Sequence, residues 1–263
     1  MAFLDVHCFS DTLGLNVSFY VLLPQNSARQ IGMVGSSQRD RHPTLYLLHG
    51  LSDDHTIWMR RTSIERYAAA RGIAVVMPAV ARSYYQDMAS GPKYWTFLSE
   101  ELPAVCQQWF PLSSAREDTF AAGLSMGGYG ALRLGLAHPE KFAAVASLSG
   151  ALDLQQRLKE LQRSELPLDR QEWTGIFGEP AGAGEASADL FQLADKVAGA
   201  KTRPKVYLCC GTEDYLLGDS RAFHHHLDRH GIAHTYEESS GTHEWGYWDR
   251  QIQQILAWLP LRG

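Results

Sequence analysis

Apolar positions along the chain gather into short runs separated by longer stretches of helical spacing. Phe3–Ser10 and Leu15–Leu23 alternate loosely around Asp11-Thr12-Leu13-Gly14, which predicts a β-hairpin. Thr44–His49 is apolar on both faces, the pattern of a central parallel strand. A helix is predicted over Ile57–Arg71, closed by Gly72, and a strand over Ile73–Met77, stopped by Pro78. Trp95–Trp109 reads as a helix that Pro103 kinks or divides. Strands follow at Thr119–Leu124, Phe142–Leu148, Lys205–Cys210 and His234–Glu238. Helices are predicted at Met126–Ala137, Ser220–His230 and Trp248–Leu259. Repeated strand-then-helix with buried strands means an α/β fold: a mostly parallel central sheet with helices on both faces.

Two stretches break this rhythm. Pro24–Pro43 is polar and reads as a surface loop. Residues 151–203 hold a charged helical run, Leu154–Leu166, then Gly175, Gly178, Pro180, Gly182 and Gly184. That stretch is long for a plain crossover, so it is read as a small cap-like insertion in a single domain spanning 1–263; an ordinary crossover helix with a loose loop is the alternative.

Composition narrows the functional classes. The chain has 263 residues, 45% hydrophobic and 20% charged, as expected of a globular protein. A net charge of -5 and a pI near 6.1, with no basic stripe, argue against a nucleic-acid partner. No apolar run reaches the length that spans a bilayer, and Met1–His7 reads as a first strand, not a signal peptide. Cys8, Cys106, Cys209 and Cys210 show neither metal spacing nor a disulfide framework, which fits a reducing, cytoplasmic setting.

Between the strand Thr119–Leu124 and the helix Met126–Ala137 lies Gly123-Leu124-Ser125-Met126-Gly127, a G-x-S-x-G. Strand, sharp turn and helix around such a motif form the nucleophile elbow of the α/β-hydrolase fold, with the serine Oγ raised above the sheet. A serine hydroxyl needs a base, and the base an orienting acid; on this fold they follow in the order Ser, Asp or Glu, His. His243, in the loop after the last strand, meets the requirement for the base. His224, His225 and His226 are successive residues of a helix and cannot converge; they read as one partly buried face with two solvated rings. His230 and His234 border the far end of the sheet. The acid is expected after Lys205–Cys210, where Asp214 is preferred over Glu213 and Asp219. Oxyanion donors are expected from the backbone amides of Met126 and, after the Thr44–His49 strand, Leu51. His49 reads as a structural hydrogen-bonding residue.

Four segments, Leu47–Trp58, Gly123–Phe142, Cys210–Leu217 and Gly241–Asp249, resemble the esterase D branch of the α/β-hydrolases. That branch includes S-formylglutathione hydrolases, and the chain most resembles its bacterial tributyrin and acetyl esterases. The resemblance implies Ser125, Asp214 and His243 as the triad and Leu51 with Met126 as the oxyanion hole. It further implies hydrolysis of short acyl esters (acetyl to butyryl, or acetylated sugars) without metal or cofactor, and relatives that assemble as dimers or tetramers. A thioesterase of the S-formylglutathione type and an acyltransferase are the alternative enzymes. With no charged cluster near the motifs, a small neutral ester is the expected substrate. Trp245, Trp95 and Tyr85 are the expected pocket aromatics.

Overall fold

A computed structural model of the chain describes residues 1–26, 29, 31, 39–162, 167–178 and 188–262. The strands are β1 (Ala2–Ser10), β2 (Leu15–Leu23), β3 (Thr44–Leu48), β4 (Ala74–Pro78), β5 (Thr119–Leu124), β6 (Ala144–Leu148), β7 (Lys205–Gly211) and β8 (His234–Ser239). They form one sheet in the order β1-β2-β4-β3-β5-β6-β7-β8. The hairpin pairs antiparallel within itself and with β4, and every other neighbour pairs parallel. Every residue of β3, β4, β5 and β6 is buried, as their unbroken apolar runs require.

The helices are α1 (Ile57–Arg61), α2 (Ile64–Arg71), α3 (Tyr94–Thr96), α4 (Leu102–Trp109), α5 (Met126–Ala137), α6 (Leu154–Gln162), α7 (Pro167–Phe177), α8 (Leu190–Ala198), α9 (Leu217–Arg229) and α10 (Trp245–Trp258). One face of the sheet is covered by apolar side chains of α4, α5, α8 and α9, among them Leu102, Leu132, Leu190 and Phe223. The other is covered from α1, α2 and α10 by Trp58, Ile64, Ile252 and Ile255.

Several element boundaries have a visible local reason. The single helix over Ile57–Arg71 is two, because Thr62 turns extended between them. Its hydroxyl donates to the Trp58 carbonyl at 2.6 Å and accepts from the Ile64 amide at 3.1 Å, competing with the helical ladder. Gly72 closes the second piece at φ 62°, as its type suggested. At Pro103 the α-helix is divided as the proline suggested, although by a change of helix type: α3 passes through a π turn (Phe97–Glu101), and Pro103 stands in the first turn of α4. The Ser99 carbonyl, which an N–H at position 103 would serve in an α-helix, instead accepts from Lys141 Nζ at 3.2 Å. The last helix begins at Trp245, not Trp248, because the Glu244 carboxylate caps the Gly246 and Tyr247 amides at 2.9 and 3.0 Å.

Between β6 and β7 lie α6, α7 and α8. Helix α7 sets Trp173 and Phe177 against the Tyr84 ring, and the Tyr129 hydroxyl of α5 donates to the Ala188 carbonyl at 2.6 Å. Half of the Pro24–Pro43 loop, the end of the predicted run to Leu166, and the stretch holding Pro180, Gly182 and Gly184 lie outside the described residues. Among the described residues no helix is long and apolar enough to cross a membrane.

Candidate active site

The carboxyl ends of β3, β5, β6, β7 and β8 point the same way, so the loops leaving them meet along one edge of the sheet. Those loops carry His49-Gly50-Leu51, Ser125, Ser149, Asp214 and His243.

Ser125 occupies the turn between β5 and α5 at φ 53°, ψ -118°, a conformation L-residues avoid and that costs roughly 1–3 kcal/mol. The surroundings hold it there. Its amide donates to the Leu148 carbonyl at 2.9 Å, and its carbonyl accepts from Gly128, Tyr129 and Ala151 at 3.0, 3.2 and 3.2 Å. Helix α5 presses on the end of β3 so closely that a Cβ at Gly127 would lie 2.5 Å from the Leu48 carbonyl oxygen. Eleven of its twelve residues are buried, whereas Ser125 is half-buried. Met126 opens the helix, so its N–H has no intrahelical acceptor and is free to donate outward.

The loop after β3 lies beside the elbow: a Cβ built at Gly50 would stand 3.8 Å from the Ser125 Cβ. His49 anchors it. Its Nε2 accepts from the Val80 amide at 3.1 Å, so Nδ1 carries the proton and donates to the Gly50 carbonyl at 2.7 Å. Burial lowers the imidazole pKa to about 4, against the Gly50 hydrogen bond, and keeps it neutral. His49 is thus a structural residue, as its sequence context suggested. Asp53, three residues beyond Gly50, is a half-buried acid the sequence reading did not single out. Burial pushes its carboxyl up, with hydrogen bonding to the Gly50 backbone pulling the other way.

The imidazole of His243 faces Asp214, with Nδ1 2.9 and 3.1 Å from the two carboxylate oxygens. Asp214 is 5% exposed, and a second hydrogen bond comes from the Leu216 amide at 2.8 Å. Burial would raise its carboxyl, but hydrogen bonds from His243, Leu216 and Ser149 outweigh it and hold the group below its usual range. An ionised carboxylate only accepts, so Nδ1 carries a proton, and in the neutral imidazole Nε2 is the nitrogen with the lone pair. The rival acids are engaged elsewhere. Glu213 accepts from the Gly241 amide at 2.7 Å, strapping the β7 loop to the loop that bears His243. Asp219 accepts from the Asp153 amide at 3.2 Å and pairs with Arg157 at 3.4 Å. At Gly211 the two loops approach so closely that a Cβ would meet the Gly241 carbonyl oxygen at 2.0 Å.

Two rings flank His243: Trp248 edge-on at 4.8 Å and Tyr215 tilted at 4.7 Å, the latter 72% exposed. The Trp248 indole N–H donates to Ser149 Oγ at 3.1 Å, which ties the histidine's support to the strand beside the elbow. Among the described residues Ser125 Oγ makes no hydrogen bond to His243; such links are often long before substrate binds.

The pocket aromatics are corrected in part. Tyr85 is fully buried, its hydroxyl spent on the His49 carbonyl at 2.8 Å, so it supports the β3 loop from below. Trp95 stacks on His138 at the far end of α5, under the Arg133 guanidinium, and is remote from Ser125. Trp245 is half-buried between Trp58 and Trp248, each 5.2 Å away, so Trp248 and Tyr215, not Trp245, touch the histidine. Tyr215 directly follows Asp214, a position that could have marked it. Ser149 had only Ser-Gly at the end of a strand as a signal.

A family model described as "Putative esterase" matches residues 10–259. The chain belongs to the esterase family. An acetyl esterase of Caldicellulosiruptor saccharolyticus is 29% identical over 268 residues, 98% of each chain. Among solved structures, the substrate-bound fluorophosphonate-binding serine hydrolase F (FphF) of Staphylococcus aureus is 34% identical, covers 99% of each chain and superposes with a TM-score of 0.86. The S-formylglutathione hydrolase FrmB of the same organism is 34% identical over 98% of each chain, with a TM-score of 0.82. The esterase is an α/β serine hydrolase acting on carboxylic esters.

Proposed function

We propose that this esterase hydrolyses short-chain acyl esters, acetyl to butyryl, through an acyl-enzyme on Ser125. Ser125 Oγ attacks the ester carbonyl carbon and gives its proton to His243 Nε2. Asp214 holds the Nδ1–H tautomer and stabilises the imidazolium that forms. The negative charge on the tetrahedral oxygen is met by the Leu51 and Met126 amides. Collapse expels the alcohol, which takes the proton from His243. Water then enters, loses its proton to the same nitrogen, and releases the acid from Ser125.

The observation that carries this reading is the Asp214–His243 pair, which leaves Nε2 with its lone pair on the edge of the sheet that bears the strained Ser125. Similarity along the full chain to an acetyl esterase supports the choice of short acyl groups. In this reading α7, within the insertion, bounds the acyl pocket, since it lies against the loop after β4 through Tyr84. A thioester substrate is the second reading, favoured by the likeness to FrmB.

An acyl series of p-nitrophenyl esters from acetate to octanoate, run on wild type and Ser125→Ala, tests the proposal. Activity should fall beyond butyrate and vanish in the variant, with fluorophosphonate labelling lost as well. Near-wild-type hydrolysis by Ser125→Ala would sink the mechanism. A higher kcat/KM for S-formylglutathione than for any oxygen ester would move the enzyme to the second reading.

A further inference from the structure

Five of the eleven histidines fall within residues 224–234, and the esterase chemistry uses none of them. The expectation of one buried face and two solvated rings is corrected: His225 is exposed, while His224 and His226 are partly buried on different partners. We propose that Asp195, His226 and His230 form a surface site for one divalent transition metal of the zinc type.

His226 lies in the last turn of α9 and His230 caps it, the His230 amide donating to the His226 carbonyl at 3.2 Å. Residues four apart share a helix face, and the two rings stack at 4.5 Å with 26° between their planes. Across from them, Asp195 projects from α8. Both imidazoles turn to the same carboxylate oxygen: Asp195 Oδ1 is 2.7 Å from His226 Nε2 and 3.3 Å from His230 Nε2. All three ligand atoms lie within 4.8 Å of one another. Ligands on a tetrahedral zinc, with bonds of 2.0–2.1 Å, stand about 3.3 Å apart, so small side-chain adjustments admit the ion.

The surroundings suit such a site. Phe191, one turn before Asp195, packs edge-on to His226 at 5.0 Å and fixes that ring. Asp195 is 47% and His230 38% exposed at the side chain, which gives an ion entry and leaves room for water as the remaining ligand. Two imidazoles and one carboxylate favour zinc, nickel or copper over magnesium or calcium. The neighbouring group of His224, His225 and Asp228 is a poorer candidate. There His224 Nδ1 is hydrogen-bonded to His234 Nε2 at 2.7 Å, and its ring lies flat on Tyr236 at 4.1 Å. His226 also stands nine residues along α9 from Leu217, about 14 Å from the Asp214 loop, so binding is independent of ester hydrolysis.

The test uses the full chain without a histidine tag, stripped with chelator, titrated with zinc chloride by calorimetry and checked by equilibrium dialysis. One zinc per chain is expected, with a rise in Tm on zinc addition. His226→Ala/His230→Ala should weaken binding by about 100-fold or more and abolish that rise. His224→Ala/His234→Ala and Ser125→Ala should bind as wild type does. Retained hydrolysis of p-nitrophenyl acetate shows that each histidine variant is folded. Absence of stoichiometric zinc in the wild type overturns the proposal, as does its persistence in His226→Ala/His230→Ala.

Discussion

The two halves of the candidate active site are held by different means. On the elbow side, backbone meets backbone: α5 rests on the Leu48 carbonyl, four main-chain hydrogen bonds fix Ser125, and nothing larger than glycine fits at position 127. On the acid–base side, side chains do the positioning: His243 depends on Asp214, on the Trp248 ring and, through it, on Ser149. The elbow stores strain and therefore needs a frame that cannot yield. In the proposed mechanism the imidazole turns a proton over at each step, and hydrogen bonds that tolerate a change of charge orient it. Mutations on the first side should cost folding, and those on the second should cost rate.

The largest effect is expected at Asp214. In Asp214→Asn the amide can donate to His243 Nδ1, which stabilises the tautomer with the proton on Nε2 and removes the base. We expect kcat to fall about 10^3- to 10^4-fold with the folded structure retained. A fall of less than tenfold would remove Asp214 from the mechanism.

Gly127→Ala breaks the other half. Its Cβ would stand 2.5 and 2.7 Å from the Leu48 and His49 carbonyl oxygens, main-chain atoms that cannot swing aside. The expected loss of stability is about 3–5 kcal/mol in urea unfolding, since overpacking here displaces a whole helix. A loss below about 1 kcal/mol would mean that the elbow frame is softer than its contacts indicate.

This division also governs what could be read from the chain alone. The elbow was legible because its demands are local: a small-residue strand, a serine, glycines where backbone crosses backbone. The strands were legible because burial on both faces leaves unbroken apolar runs. Chain order leads to His243, and to Asp214 only with the family resemblance added, but to neither residue's supports. Ser149 acts across strands, and the spacing of Trp248 suits a site aromatic and a core residue of α10 alike; its N–H on Ser149 decides between them. Tyr85 and Trp95 misled for the same reason. An aromatic between elements can fill a pocket or a core, and only the tertiary partners, the His49 carbonyl and the Arg133 guanidinium, decide which. The break at Thr62 depended on a hydroxyl outcompeting one turn of backbone, which apolar spacing does not record.

A smaller effect separates the halves by pH. His49 has a pKa of about 4 when folded and an ordinary value near 6.5 when unfolded, so between those values the unfolded chain binds more protons. Its contribution is complete above pH 6.5 and lost as pH falls toward 4, on the order of 3 kcal/mol over the window. His49→Gln should therefore flatten the acid limb of stability measured by thermal unfolding from pH 7 to 4. An unchanged slope would place the acid sensitivity elsewhere.

The smallest effect is the most informative about how the halves are joined. Ser149 is fully buried at φ 46°, accepts from the Trp248 indole and helps hold the Asp214 carboxyl below its usual range, while the next residues return to the elbow through the Ala151 amide on the Ser125 carbonyl. Ser149→Ala removes a hydroxyl that helps hold the Asp214 carboxyl low and leaves an indole N–H without its acceptor. Each is worth about 1–2 kcal/mol, so kcat should drop roughly tenfold while KM stays near wild type. Ser149→Thr keeps the hydroxyl and should recover part of the rate. A stability loss with kcat intact would make Ser149 only a packing residue, and the two halves would then be coupled through the sheet alone.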